Sequence, residues 1–366
     1  MTMKRAACAS LMMLGLFPAM AADPVAMKAD GWTVRGNTAF ADYKGYSALK
    51  LKDNSAQAVP NGVILGDGTI EFDVEPQGVM GVGIGFRRID SENYQDIYFR
   101  PKPNCATSAD CMQYTPMVHS VLLWDFYPQY QQAAPLNDGA WNHIKLTLAG
   151  DRLSIDVNGT RALADARLEG GASSGSLVLH GLGAFANLTV TPDPAAKPLP
   201  AAVNAAHFVR QWQVSHPSML AAGREPQLSD MPAAAAPWQP LAAETDGLVN
   251  LTRLYGKPVA APDRALAWLK TTITARQAGI RKVNIAICRE AWVFVNGEKV
   301  FADKNPYQPP QARKAPDGRC TPQNAAFELP LKAGVNHIAV AVANNFFGWG
   351  IAMQIDDDKG LRFAKP

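Results

Sequence analysis

Short segments in which apolar and polar residues alternate fill residues 32–190 and return from residue 248 onward. Glycine, proline and Asn-Gly signals punctuate both runs, and a stretch rich in proline and alanine separates them. Many short strands at regular spacing with turn signals between them predict an all-β protein of two β-sandwich or jelly-roll domains joined by a Pro/Ala-rich linker. A length of 366 residues is comfortable for two domains, and 48% apolar residues supply two cores. The expected boundaries are residues 22–190 for the first jelly roll, 191–206 for the linker and 207–366 for the second.

Residues 1–21 read as a removed export signal. Lys4 and Arg5 precede an apolar run over residues 6–17, and Ala19-Met20-Ala21 supplies the small residues of a cleavage site. Cys8 lies at the start of the apolar run rather than after it, which argues against a lipid anchor. No later segment is long and apolar enough to cross a membrane, so the mature chain is expected to be periplasmic or extracellular. Four cysteines then remain: Cys105, Cys111, Cys288 and Cys320. An even count in an exported chain favours disulfides over a metal site. Of the three possible pairings, Cys105–Cys111 with Cys288–Cys320 is expected, because each pair closes a proline-rich insert within one domain. The net charge of +3 comes without a basic cluster, so nucleic acid is not an expected partner.

In the first domain the organising strand is Gly68-Thr69-Ile70-Glu71-Phe72-Asp73-Val74-Glu75. Ile70, Phe72 and Val74 fall on one face and read as sandwich core; Glu71, Asp73 and Glu75 fall on the other. Gly81-Val82-Gly83-Ile84-Gly85-Phe86 follows, with glycine at every position of one face. Glycine at alternate strand positions implies close approach by something else. A neighbour relation between this strand and the acidic one would leave space above the carboxylates. Asp96, Tyr98 and Arg100 share the next strand face and would then join Glu71 and Asp73. A Pro- and Cys-bearing insert leads to a strand ending in Trp124-Asp125-Phe126-Tyr127, and Asn158-Gly159 marks a hairpin.

In the second half, residues 265–275 have a helix-like composition, but Thr271-Thr272-Ile273-Thr274 argues for strand. Further strands are expected over residues 283–287, 292–295, 327–331 and 335–342, with an Asn296-Gly297 turn. Asp356-Asp357-Asp358 lacks the alternating spacing of a calcium loop. The six histidines show no paired ligand spacing, so no metal is expected. The glycine run is not a dinucleotide fingerprint, and no cofactor is implied. Gly171-Ala172-Ser173-Ser174-Gly175 fits a nucleophile-elbow pattern by letter but lacks the strand-to-helix context. Trp141 and Trp292, inside strand patterns, are expected to pack in cores.

Gly68-Thr69-Ile70-Glu71-Phe72-Asp73-Val74, Gly85-Phe86-Arg87, Tyr98-Phe99-Arg100-Pro101 and Trp141-Asn142-His143-Ile144-Lys145 together resemble the concanavalin A-like, laminin G-like jelly roll. The resemblance is nearest to its exported bacterial members labelled 3-keto-disaccharide hydrolase-like, to which Gln113-Tyr114-Thr115-Pro116 and Trp124 also conform. It covers about residues 30–190. The second half resembles the galactose-binding-like jelly roll that accompanies glycosidases, through Trp292-Val293-Phe294-Val295-Asn296-Gly297-Glu298, Leu329-Pro330-Leu331 and Gly348-Trp349-Gly350. The loop over residues 303–324 departs from that pattern.

The resemblance implies a carbohydrate-related role, by binding or by cleavage. Glu71-Phe72-Asp73-Val74-Glu75 matches the Glu-x-Asp-x-Glu motif of β-glucanases with this fold. Carried over, Glu71 is nucleophile, Asp73 assists and Glu75 is acid/base. A retaining glycosidase needs two carboxyl groups about 5 Å apart, and residues i and i+4 share a strand face with Cα atoms about 13 Å apart. The binding reading instead uses Tyr98, Arg100, Gln113, Tyr114, Trp124 and Tyr127: an arginine fork for hydroxyls and rings for the apolar faces of a sugar. The reading adopted is an exported carbohydrate-binding protein for a polysaccharide or glycoconjugate. Glycoside hydrolysis through Glu71, Asp73 and Glu75, or a non-catalytic protein-interaction module, are the alternatives.

Overall fold

A computed structural model of the chain describes residues 24–78, 81–197, 204–256 and 263–364. The expected export signal and residues 198–203 of the expected linker lie outside the described residues. Within them the protein is almost entirely antiparallel β-sheet, as predicted: two sheets before residue 193 and two after residue 210.

In the N-terminal unit the acidic strand Gly68–Pro76 lies centrally in a seven-stranded sheet, between Asn142–Ala149 and Gly183–Pro192. Ile70, Phe72 and Val74 are fully buried in the sandwich core, as the alternation required. The glycine-faced strand Val82–Arg88 is not its neighbour. It belongs to the opposite, nine-stranded sheet, between Gly175–Gly181 and Tyr94–Phe99, with Met112–Val118 next in line. The expectation that Asp96, Tyr98 and Arg100 share a face with Glu71 and Asp73 therefore fails. Successive strands here cross from one sheet to the other, and alternation within a strand carries no information about which strand lies alongside.

The C-terminal unit pairs a four-stranded sheet with an eight-stranded one around the core that includes Val214, Ile285, Val293 and Val340. Residues 264–275 form a twelve-residue strand, Arg264–Ala275, in accord with their threonine and isoleucine content. The eight-stranded sheet is apolar on its outer face too: Trp268, Trp292 and Ala341 form a second buried cluster there with Leu220, against which Leu228 and Trp238 pack. Trp292 is thus buried, whereas Trp141 departs from expectation. It is half-buried on the outer surface, edge-on to Tyr43 and Tyr46.

The two units share one core. Leu248, Ala286, Cys288, Cys320 and Ala352 from the C-terminal half belong to the same buried cluster as Phe126 and Tyr127. Across this seam Asp125 and Arg289, both buried, form an ion pair. Tyr127, expected to face a ligand, is instead part of the seam. Its hydroxyl donates to Glu244 Oε2 at 2.7 Å, and Arg253 Nε binds the same carboxylate at 2.5 Å. Both expected disulfides are present, Cys105–Cys111 and Cys288–Cys320. No helix among the described residues is long and apolar enough to span a membrane.

Candidate functional site

On the nine-stranded sheet, alternation sends Ile84, Ile97, Met112 and Leu179 into the core. Gly83, Gly85, Asp96, Tyr98, Gln113, Thr115 and His180 consequently lie on its other face, where all but His180 are buried. The register places His180 and Tyr98 on either side of Gly83, and Asp96 between Gly85 and Thr115. The absent side chain at Gly83 gives the His180 ring room to lie across the strand, where Nε2 comes within 2.6 Å of Asp96 Oδ1. A Cβ at residue 83 would stand 2.2 Å from the Ile97 carbonyl oxygen and 2.9 Å from the ring. At Gly85 it would meet Val178 at 2.6 Å and the Tyr94 ring at 2.7 Å. What approaches the glycine face is thus the sheet's own side chains.

Burial lowers the pKa of an imidazole, but the charge of Asp96 and its hydrogen bond outweigh that effect and hold His180 above its ordinary value. Gly83→Ala is expected to dislodge the ring. The His180 titration, followed by the NMR shift of its imidazole protons, should move down towards the ordinary value. An unchanged titration would show that the ring does not depend on this gap.

Beside the dyad, Tyr98 donates its hydroxyl to Gln113 Oε1 at 2.5 Å, and Gln113 Nε2 donates to the Trp124 carbonyl at 2.7 Å. The Arg100 guanidinium lies 4.5 Å over the Tyr98 ring, with Nη1 3.3 Å from Asp110 Oδ1. Lys102 pairs with the same carboxylate. Burial alone would raise the Asp110 pKa, yet its hydrogen bond to Lys102 and the charges of Arg100, Lys102 and Arg319 bring it below the ordinary value.

The other wall comes from the C-terminal unit. Arg319 lies 4.5 Å over the Trp124 ring, and Tyr307 and Phe347 meet that ring edge-on at 4.9 and 5.5 Å. Phe346 stacks on Tyr307 at 5.6 Å with 16° between the planes. Phe346 and Phe347 are nevertheless 36% and 37% exposed. Phe347 also holds a left-handed backbone, φ +53°, which a non-glycine residue adopts at a cost. The result is a half-open aromatic strip beside a row of charged and hydrogen-bonding groups, at the junction of the two units.

Of the residues singled out from sequence, Tyr98, Arg100, Gln113 and Trp124 come together here. Tyr114 does not. It faces the core side of the same strand, donating to Gln95 Oε1 at 2.6 Å and accepting from the Glu169 amide. Tyr127 lies in the seam. Glu71, Asp73 and Glu75 sit on the opposite sheet and are engaged by neighbours. Glu71 meets Lys145 at 2.9 Å, Asp73 meets His143 Nδ1 at 2.9 Å and Asn187 at 2.6 Å, and buried Glu75 meets Lys44 at 2.9 Å. Lys145 and His143 stand directly across from Glu71 and Asp73 in register, the usual arrangement of cross-strand ion pairs. His180, Asp110, Tyr307, Arg319, Phe346 and Phe347 were not foreseen. Adjacent phenylalanines in a glycine-rich loop were the one available signal.

No protein-family model matches the sequence, and no curated protein matches it. Among solved structures, the chain is similar to the carbohydrate-binding module CBM66 from Bacillus subtilis, with 19% identity over 44% of this chain and 95% of that one, at a TM-score of 0.33. It is similar also to a Bacillus subtilis protein of unknown function with a galectin-like fold, with 14% identity over 47% and 94% and a TM-score of 0.34. A Bacillus licheniformis β-glucanase aligns at 14% identity over 47% and 97%, with a TM-score of 0.32. Each of these likenesses spans less than half of this chain.

Proposed function

We propose that the protein is exported and binds a polysaccharide or glycoconjugate along the strip at the junction of its two units. The observation that carries this reading is the exposed Phe346–Phe347 pair, with Tyr307, standing beside Arg100, Asp110 and Arg319. A sugar offers an apolar C–H face and a rim of hydroxyls. Aromatic rings serve the first, and a planar guanidinium beside a carboxylate serves the second. Export is supported by the leader-like first 21 residues and by two disulfides.

Affinity electrophoresis against a panel of polysaccharides tests the reading. A retarding polysaccharide should be found, and Phe347→Ala should weaken it by about tenfold or more, the scale of an aromatic anchor at an interface. Glu71→Gln, on the far sheet, should leave retardation unchanged. Undiminished retardation of Phe347→Ala would place binding elsewhere. Absence of any retarding polysaccharide, with a protein partner co-purifying, would favour the interaction-module reading.

The second reading is glycoside cleavage, favoured by the His180–Asp96 pair, a buried carboxylate orienting an imidazole. Such a pair can hold and move a proton at Nε2 or Nδ1 of His180. Reducing-sugar release that is lost in His180→Asn and kept in Glu71→Gln would assign the chemistry to this pair. The converse result would return it to Glu71, Asp73 and Glu75.

A further inference from the structure

The eight-stranded sheet of the C-terminal unit has a graded outer face. Its three central strands are Arg264–Ala275, Gly334–Asn344 and Glu290–Val295, with Gly334–Asn344 in the middle. Register aligns Trp268, Ala341 and Trp292 in one outward row, and Lys270, Ala339 and Phe294 in the next. Alanines on the middle strand between bulky neighbours make a trough. Along the tryptophan row the trough is closed by an apolar cluster that Leu220 and Trp238, from strands at the side of the same sheet, and Leu228 complete. Over the next row it opens into a cavity of about 750 Å³, roofed by Leu228 and Met231. That volume lies within the range of small-molecule sites.

The charge pattern of this cavity is one-sided. Most of its lining surface is apolar, Lys270 and His337 stand in its wall, and among the described residues no aspartate or glutamate lines it. Lys270 is half-buried with its ammonium 3.8 Å over the Trp238 ring. Among the described residues, no carboxylate forms an ion pair with it, whereas Arg100, Lys145, Arg253, Arg313 and Lys314, also partly buried, each have one. Burial pushes its pKa down, in keeping with a cation that has given up water without gaining an anion.

We propose that this cavity binds an amphipathic organic anion, its aliphatic body lying in the trough over Ala339 against Phe294 and its carboxylate or equivalent paired with Lys270. The site is independent of the carbohydrate strip and does not rest on that reading. An apolar body meets an apolar trough, and a negative head supplies the charge that the wall lacks.

The test is calorimetric titration of the full chain with octanoate, 1-octanol and acetate, each below its aggregation limit. Octanoate is expected to bind saturably at one site. Octanol should bind about tenfold more weakly or worse, and acetate should not bind measurably, because neither carries both parts of the ligand. Lys270→Met should bring octanoate down to the level of octanol without changing octanol. Ala339→Phe, which fills the trough, should abolish both, with circular dichroism confirming that the fold is kept. Octanoate binding that survives in Lys270→Met, octanol binding equal to octanoate in the wild type, or no saturable octanoate binding would each overturn the proposal.

Discussion

Replacing Arg289 by methionine is expected to lower stability by ~3–5 kcal/mol, the cost of leaving a buried carboxylate without its counter-charge. Asp125 is fully buried, and burial already pushes its pKa up while Arg289 pulls it down. Without the arginine the carboxyl group will take up a proton more readily, so the loss should be largest at pH 8 and shrink towards pH 5. The double variant Asp125→Asn with Arg289→Met should recover much of the difference. Urea denaturation of the wild type and the two variants at both pH values measures this. A loss independent of pH and unrelieved in the double variant would assign the effect to lost packing instead. Arg289 also donates to the Phe346 carbonyl at 3.0 Å and to the Gly318 carbonyl at 3.3 Å. Both loops carry groups of the aromatic strip, so polysaccharide retention should fall in Arg289→Met even where the protein remains folded.

A second large effect concerns Glu169, which sits at the seam beside Tyr130, whose hydroxyl donates to it at 2.7 Å. Burial first, then repulsion from Glu244 and Asp246, raises its pKa to about 7 against the pull of the tyrosine hydrogen bond. The folded protein therefore holds this proton over a range in which the unfolded chain has released it. The contribution of Glu169 to stability is therefore expected to fall as pH rises from about 4.5 to about 7, by roughly 3 kcal/mol in total for a shift of this size. Asp246, also raised by burial, acts in the same direction. Glu169→Gln, which stays neutral, should flatten the profile between pH 5 and pH 8 in thermal or urea melts. If wild type and variant show parallel profiles over that range, Glu169 is not the group responsible.

The parts of this fold legible in the sequence were those set by local alternation. Ile70, Phe72 and Val74 announced a core face, and threonine-rich residues 271–274 announced a strand against a helix-like composition. Strand adjacency was not legible, because it depends on partners distant in the chain. The acidic strand pairs with residues about seventy positions on, and His180 reaches Asp96 across 84 positions. Glycines 83 and 85 did signal a close approach, but nothing local could identify the His180 and Tyr94 rings as what approaches. For the same reason the site was half visible. Tyr98 and Gln113 lie on neighbouring strands of one sheet, with Arg100 and Trp124 just beyond strand ends of that sheet, whereas Arg319, Tyr307 and Phe347 arrive from the other unit.

The shared core across the seam bears on how such a protein can change over time. Two β-sandwiches on a proline-rich tether would ordinarily be interchangeable modules, each free to be lost, duplicated or joined to a new neighbour. Here Phe126 and Tyr127 of one unit are packed with Leu248, Ala286 and Ala352 of the other, and either half taken alone would present that apolar surface to water. Neither half can therefore be separated without exposing that surface, and a substitution in the aromatic strip at their junction must be accepted by both halves.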